Sequence, residues 1–471
     1  MSHTKLVIIG GGPGGYAAAF LAADLGLDVT LVGEDANPGG VCLYRGCIPS
    51  KALLHVAALV GETRHASAWG VEFGEPTIDL AKLRGWKESV VQKLTGGLGQ
   101  LARQRKVRYV RGRATLQGPT SLTIDLADGG REDLTFATGI LATGSRPATI
   151  PGLSIDSPRV MDSTTALEVP DVPKTLLVVG GGYIGLELGS VYAALGTKVS
   201  VVEMTGGLLP GADRDLVAVL AKRMEKVCEA IMLNTRVTGM TEEQSGMRVT
   251  FTGEGAPAEL VFDKVLVSIG RRPNSNVPGL EKTRVEVDRK GFIVVDAQRR
   301  TAEPTLYAIG DVAGEPMLAH KASHEGRAAV EAIAGHKVAF EPLAIPAVVF
   351  TDPEIAWCGL TETQAAAERR TVEVVRFPWG ASGRATTLDR NDGVTKFVLE
   401  PGTGRVLGMG IAGVHAGEMI AEGVLAIEMG ATADDVRLTI HPHPTLSETI
   451  MEAADVFFGQ STHVYRPRKK A

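Results

Sequence analysis

Leu6-Val-Ile-Ile-Gly-Gly-Gly-Pro-Gly-Gly15 returns later in the chain as Leu176-Leu-Val-Val-Gly-Gly-Gly-Tyr-Ile-Gly185. In each copy a short apolar run enters G-x-G-x-x-G, an Ala/Leu-rich stretch with helical spacing follows and closes near Leu-Gly, and a second apolar run comes next, Val29 to Val32 or Val199 to Val202. That is the βαβ setting in which the fingerprint has a mechanism. Gly10 and Gly180 permit the tight turn, Gly12 and Gly182 let the backbone approach a pyrophosphate, and Gly15 and Gly185 allow the helix to pack closely on its strand. The helix N-terminus then faces the phosphates. One copy alone fits any α/β protein with a glycine turn; two copies in matching context predict two dinucleotide-binding units.

The rest of the chain agrees with several domains. At 471 residues it exceeds a typical single core. A formal net charge of −5 with 22% charged residues gives no electrostatic case for nucleic acid or an anionic membrane. Every apolar run is interrupted before the ~18 to 20 residues that a membrane helix needs, and no signal-peptide pattern precedes Lys5, so a cytoplasmic, non-spanning protein is expected. Short strands return at Lys264 to Gly270, Phe292 to Val295 and Thr305 to Gly310. Beyond Glu341 strands at Gly393 to Leu399 and Val406 to Ile411 precede helices at Gly417 to Met429 and Leu446 to Phe458. The fold class is therefore α/β, with two Rossmann-like units and an α+β C-terminal domain that carries no third fingerprint and is a candidate for dimerisation.

The chemistry concentrates in Gly39-Gly40-Val41-Cys42-Leu43-Tyr44-Arg45-Gly46-Cys47-Ile48-Pro49-Ser50-Lys51. In a regular helix residues five apart have Cα atoms about 8 Å apart, beyond the ~7 Å reach of a disulfide, so bridging Cys42 and Cys47 requires a broken turn. Gly40 and Gly46 make the break inexpensive. Pro49 suits the first turn of a helix running on through Leu59, which sets Cys47 at an N-terminus that favours a thiolate. A structural bridge or a zinc pair has the same spacing on the residues alone. Zinc would need two more ligands, however, and Cys228 and Cys358 stand isolated and are read as unreactive thiols, so no metal is expected.

This segment resembles the active-disulfide signature of the pyridine nucleotide-disulfide oxidoreductases, and its Cys-Ile-Pro-Ser-Lys ending most resembles the dihydrolipoamide-oxidising members. Similar segments continue along the chain at Ala142-Thr-Gly-Ser145, Gly270-Arg-Arg-Pro-Asn274, Ala308-Ile-Gly-Asp311, Met317-Leu-Ala-His320 and His443-Pro-Thr-Leu-Ser-Glu448. The resemblance implies an FAD-binding domain over 1–148, an NAD-binding domain over 149–270, a central domain over 271–343 and an interface domain over 344–471 that builds a homodimer. It implies that Cys42 exchanges with substrate, that Cys47 lies against the flavin, and that Lys51 sits near flavin N5 and pairs with Glu187. Gly10, Gly12, Gly15, Glu34, Ala114, Thr143, Gly144, Ser145, Asp311 and Ala319 complete the FAD contacts. Gly180, Gly182, Ile184, Gly185, Glu187, Glu203, Val237 and Gly270 would serve NAD. The activity implied is oxidation of dihydrolipoamide, free or carried on the lipoylated subunit of a 2-oxo acid dehydrogenase-type complex, with NAD+ as final acceptor.

Glu448, in the first turns of a helix begun by Pro444, would reach back to orient His443. A histidine between prolines is ordinarily a turn residue; the resemblance makes His443 the general base donated by the opposite subunit. His441 is read as structural. Glu203 lies 23 residues beyond Gly180, where an acid accepts ribose hydroxyls and repels a 2′-phosphate, favouring NAD over NADP. The same count from Gly10 reaches Gly33, with the acid displaced to Glu34. Tyr44-Arg45 and His324 also leave the family pattern, the first where Arg45 could lower a thiol pKa but is more readily a solvated surface residue, the second near the flavin edge. Related glutathione-type and mercuric reductases are rivals that normally favour NADPH, and a mainly structural dimeric subunit is a reading from another class.

Overall fold

The computed structural model describes residues 2–150 and 155–465, so the basic run Tyr465 to Ala471 lies outside the described residues apart from Tyr465. Strand Ser2–Ile9 pairs in parallel with Val29–Gly33 on one side and Arg131–Leu141 on the other. Arg108–Gly118 extends the sheet beyond Val29–Gly33, and Leu306–Ala308 extends it beyond Arg131–Leu141. Leu6, Val7 and Ile8 are all buried, because helices cover both faces, which is why the strand reads as a continuous apolar run. Arg108–Gly118 and Arg131–Leu141 overrun the parallel sheet and continue into an antiparallel meander with Ser121–Leu126.

The second unit repeats this plan. Thr175–Val179 pairs in parallel with Lys198–Val202 and Lys264–Val267, Ala230–Met232 and Val160–Met161 form the edges, and the meander is Thr235–Glu243, Gly246–Gly253 and Glu259–Phe262. The chain leaves the first unit through Ser145–Pro147 and returns through Arg271–Pro273, and these two segments pair antiparallel. Two motifs distant in sequence are thereby zipped together: Thr143 Oγ1 donates to Asn274 O (2.9 Å), and Asn274 Nδ2 donates to Thr143 O (2.9 Å).

The central stretch differs from expectation. Phe292 to Val295 forms no strand, only an isolated bridge between Val287 and Ile293. Asp288 Oδ1 accepts the N–H groups of Lys290 and Phe292, and Asp296 Oδ1 those of Gln298 and Arg300. Such local side-chain bonds compete with a ladder for the same donors. Beyond it, Ala347–Val349, Glu354–Gly359, Val406–Gly413, Val394–Leu399 and Glu373–Pro378 make one antiparallel sheet around Trp379, Phe377 and Phe397. Helices Ala416–Glu428, Ala433–Leu438 and Glu448–Phe458 cover it. The last helix starts at Glu448, two residues later than its apolar pattern indicated.

Candidate active site

Helix Gly40–Arg45 stops at Gly46, and a new helix, Cys47–His65, begins with the second cysteine at its first position. The expected break between the cysteines is therefore present, and both residues open onto one cavity of about 610 Å³. They stand as thiols that hydrogen bond to one another. The bond from Cys42 lowers Cys47 to about 7, with Lys51 assisting against burial and Glu187. The same bond, with burial, pushes Cys42 up. In the reduced pair this bond favours the thiolate at Cys47 over Cys42. By contrast burial lifts Cys228 to about 11 and Cys358 to about 12, as expected of inert core thiols.

Leu53 on this helix shares a core with Leu186 and Leu188 on helix Tyr183–Ala194 of the second unit. That packing delivers Lys51 to Glu187, Nζ to Oε2 2.8 Å. Ser50 Oγ donates to the same oxygen (3.1 Å), and Phe350 N–H to Oε1 (3.0 Å), so the buried carboxylate is satisfied by three donors from two segments. Lys51 Nζ also lies 4.4 Å from the Phe350 ring centre. Ile184 and Glu187 consequently face the cavity of the cysteines, apart from the other second-unit candidates.

At the opposite wall Asp311 accepts from Ser145 Oγ (2.5 Å), and Arg271 donates to Ser145 Oγ (2.7 Å) and O (2.8 Å). Thr143, Gly144, Ala114, Ala319 and Glu34 line the remaining wall with the first glycine loop. A Cβ on Gly15 would stand 1.9 Å from Gly10 O, which explains the close strand–helix approach. Helix Pro13–Asp24 has Gly12 as N-cap with no side-chain bond, and nothing lies within 4 Å of where a Gly12 Cβ would be. Its unsatisfied N–H groups thus meet open space, the arrangement a pyrophosphate requires. Gly182 caps Tyr183–Ala194 in the same uncovered way. Both cradles fit a dinucleotide.

Around the second cradle Gly180 and Gly270 hold positive φ values of 109° and 110°, and a Cβ on Gly185 would meet Gly180 O at 2.3 Å. Glu203 is buried at the strand end, bonded to Gly181 N–H, Thr205 N–H and the Thr205 hydroxyl. Val237 lies in the meander, its side chain buried against the sheet core with Leu177 and Val179.

His443 and Glu448 stand together, Nδ1 to Oε1 2.9 Å, with Glu448 Oε2 accepting Thr445 N–H (2.8 Å). Burial pushes the Glu448 carboxyl up, but the Thr445 N–H and His443 outweigh it and hold it below the usual range. The His443 side chain is 77% exposed and does not line the cavity of its own subunit. His441 faces an acceptor at each ring nitrogen, Thr439 O and Glu422, both at 2.8 Å. Only an imidazolium satisfies both, and the Glu422 bond raises its pKa accordingly.

The structure places both departures from the family pattern. Of the two readings of Arg45 it favours the surface one: the side chain is 42% exposed and forms a two-pronged pair with Asp35 (2.7 and 3.0 Å), and Tyr44 Oη bonds to the backbone of Asn37. The departure between the cysteines therefore ties their turn to the loop after strand Val29–Gly33. His324 is exposed and absent from the cavity wall, because it lies on the outward side of helix Ala319–Ile333. The inward acid is Glu325, fully buried, which accepts Gly310 N–H (2.6 Å) and pairs with Arg299 and Lys321 (2.9 Å each). Glu325 braces the turn that carries Asp311, and no spacing rule in the sequence singles it out.

This geometry belongs to a two-dinucleotide disulfide oxidoreductase, and the chain is a member of the pyridine nucleotide-disulphide oxidoreductase family, which it matches over residues 4–326, with that family's dimerisation domain over 345–454. It is 48% identical over 468 residues to the dihydrolipoyl dehydrogenase of Vibrio parahaemolyticus, covering 99% of this chain and 98% of the relative. It is 45% identical over 462 residues to that of Geobacillus stearothermophilus, covering 98% of each. Among solved structures it resembles LpdA of Mycobacterium tuberculosis (TM-score 0.88, 27% identity, 97% of this chain and 100% of the other). It also resembles the HOCl-induced flavoprotein disulfide reductase of Escherichia coli (TM-score 0.85, 27% identity, 96% and 99%). Family membership brings FAD and NAD(H) as cofactors, and the dimerisation domain supports a homodimer. No helix among the described residues is long and apolar enough to cross a membrane.

Proposed function

We propose that this enzyme oxidises a dihydrolipoyl dithiol to the cyclic disulfide, passing the electron pair through Cys42 and Cys47 to FAD and on to NAD+. The observation that carries the reading is that Cys42 and Cys47, on either side of a helix break, open onto the same cavity as the Lys51–Glu187 bridge. Resting enzyme holds the two cysteines as a disulfide. His443 of the partner subunit, oriented by its Glu448, takes a proton from one substrate thiol, and the thiolate attacks Cys42 Sγ. The Cys42–Cys47 bond breaks and Cys47 leaves as the thiolate, a role its lowered pKa favours. The second substrate thiol then displaces Cys42, which regains a proton. Bound FAD supplies the two-electron relay between the cysteine pair and NAD+. Lys51 holds positive charge beside Cys47, and Glu187 with Phe350 N–H keeps that charge in place. We take the domain limits as 1–148, 149–270, 271–343 and 344–471, a division supported at its first two joints by the pairing of Ser145–Pro147 with Arg271–Pro273.

In this reading Gly10, Gly12, Gly15, Glu34, Ala114, Thr143, Gly144, Ser145, Asp311 and Ala319 hold FAD. Gly180, Gly182, Gly185, Glu203, Val237 and Gly270 hold NAD, with Ile184 and Glu187 at its reactive end. A lipoylated subunit of a 2-oxo acid dehydrogenase-type complex is the natural carrier of the substrate, and a cytoplasmic setting suits the unpaired buried thiols of Cys228 and Cys358. FAD-loaded protein given dihydrolipoamide should form NADH from NAD+, and Cys47→Ser should abolish this while FAD stays bound. Equal rates for the variant and the unaltered enzyme, or strict dependence on NADPH, would overturn the proposal.

A further inference from the structure

The two nucleotide units share one backbone plan at a constant offset of 170 residues: Leu6 pairs with Val29 as Leu176 does with Val199, and Gly39 N–H donates to Gly11 O (2.7 Å) as Leu209 N–H does to Gly181 O (2.9 Å). Gly33 is thus the counterpart of Glu203 by hydrogen bonding as well as by count. In the second unit the Glu203 carboxylate organises the strand-end loop: Oε2 accepts Gly181 N–H, and Oε1 accepts the N–H and hydroxyl of Thr205, each at 2.8 Å. In the first unit residue 33 has no side chain, and the neighbouring strand fills the space instead. A Cβ on Gly33 would stand 2.7 Å from the Tyr109 hydroxyl and 3.3 Å from its ring. That hydroxyl lies 3.6 Å from the Cβ position of Gly11, the counterpart of Gly181, whose own Cβ position lies 3.1 Å from Glu203 Cβ.

The Tyr109 hydroxyl donates to Asp35 O (2.9 Å), and Asp35 is the counterpart of Thr205. The same turn is therefore braced with reversed polarity, by a donor to a carbonyl where the second unit uses an acceptor for N–H groups. Glu34, one residue on, lines the cavity and is exposed. We infer that Tyr109 is a positioning residue for FAD: it excludes a carboxylate from position 33, braces residues 33–35, and thereby shifts the ribose-accepting acid to Glu34. The inference rests on the first unit being the FAD site.

The test is titration of apo-protein with FAD, followed by flavin fluorescence, with NAD affinity as an internal control. Tyr109→Phe, which keeps the ring packed, should raise the FAD dissociation constant roughly three- to tenfold, the worth of one net hydrogen bond, and Glu34→Gln should raise it roughly tenfold or more. Gly33→Glu should weaken FAD binding beside Tyr109 but strengthen it in a Tyr109→Ala background. A packing role alone gives no such reversal of sign. Unaltered affinity in Tyr109→Phe, or the same effect of Gly33→Glu in both backgrounds, overturns the inference while leaving the cofactor reading intact. Failure of the unaltered apo-protein to take up FAD sinks both.

Discussion

Arg45 and Cys47 are two residues apart, yet the structure assigns their charges to different tasks. The guanidinium is neutralised by Asp35, whereas Lys51, one helical turn beyond Cys47, stands among the groups that stabilise the thiolate. The sign of the pH dependence follows. Cys47 is protonated below about 7 and becomes a thiolate as pH rises through it, while Cys228 and Cys358 titrate only near 11 and 12. Reduced protein should therefore show a step in ultraviolet thiolate absorbance centred near pH 7, lost in Cys47→Ser and unmoved in Arg45→Ala. A midpoint that shifts up in Arg45→Ala would give Arg45 the other of its two readings, that of a charge tuning the thiols. Glu448 is the comparable case for the base. Its carboxylate persists at neutral pH because its pKa is held low, so Glu448→Ala removes both the charge and the orientation of His443. Dithiol oxidation should fall roughly a hundredfold or more, as for loss of a positioned general base, with NADH oxidation by an artificial acceptor retained. Equal loss in both assays would mean that Glu448 acts on the fold.

Among the elements, those legible in the sequence are the ones specified by local rules. Both βαβ units follow from strand, glycine turn and helix in fixed order, and their identical registers show that the repeat extends to hydrogen bonding. The break between the cysteines was legible because helix geometry forbids the alternative. The stretch from 274 to 305 was not, because the N–H groups of the apolar run go to scattered partners in place of one ladder: Phe292 to the Asp288 carboxylate, Ile293 to Val312 O and Val294 to Glu286 O. Nor was the joint between the second unit and the C-terminal sheet. There Lys396, 1% exposed, places Nζ 2.7 Å from Asp213, 2.9 Å from Asp215 and 2.6 Å from Glu362, residues spread over three elements. Burial pushes both aspartates up, but the Lys396 ammonium outweighs it and holds them below the usual carboxylate range. Their contribution to stability is present above the unfolded aspartate pKa, about 3.9, and is lost as pH falls through their lower folded values. Lys396→Met leaves three carboxylates without their buried cation and should cost roughly 3 to 5 kcal/mol in urea unfolding at neutral pH. A smaller loss at lower pH is expected, since protonation relieves the repulsion; a loss independent of pH would place its origin in packing.

In the proposed enzyme the redox cavity of the single subunit lacks only its base. His443 is exposed and away from the cavity of its own chain, and the surface near it in sequence is apolar: Leu425, Met429, Leu438 and Ile440 are 62, 75, 65 and 94% exposed in the single subunit. Apolar exposure on that scale marks a surface covered in the assembled protein, in keeping with the dimerisation domain. The sequence named His443 and Glu448 through family resemblance; composition and spacing alone left that histidine as a turn residue, since a base donated across a dimer would have no signature along one chain. In the proposed enzyme the cysteine pair of one subunit works with the histidine of the other. Hybrid dimers of a Cys42→Ser subunit and a His443→Gln subunit, isolated through two different tags, test it by NADH formation from dihydrolipoamide and NAD+. A shared site leaves one native cavity per hybrid and predicts about half the activity of the unaltered dimer, although each parent homodimer is nearly inactive. Hybrids as inactive as their parents would contradict it.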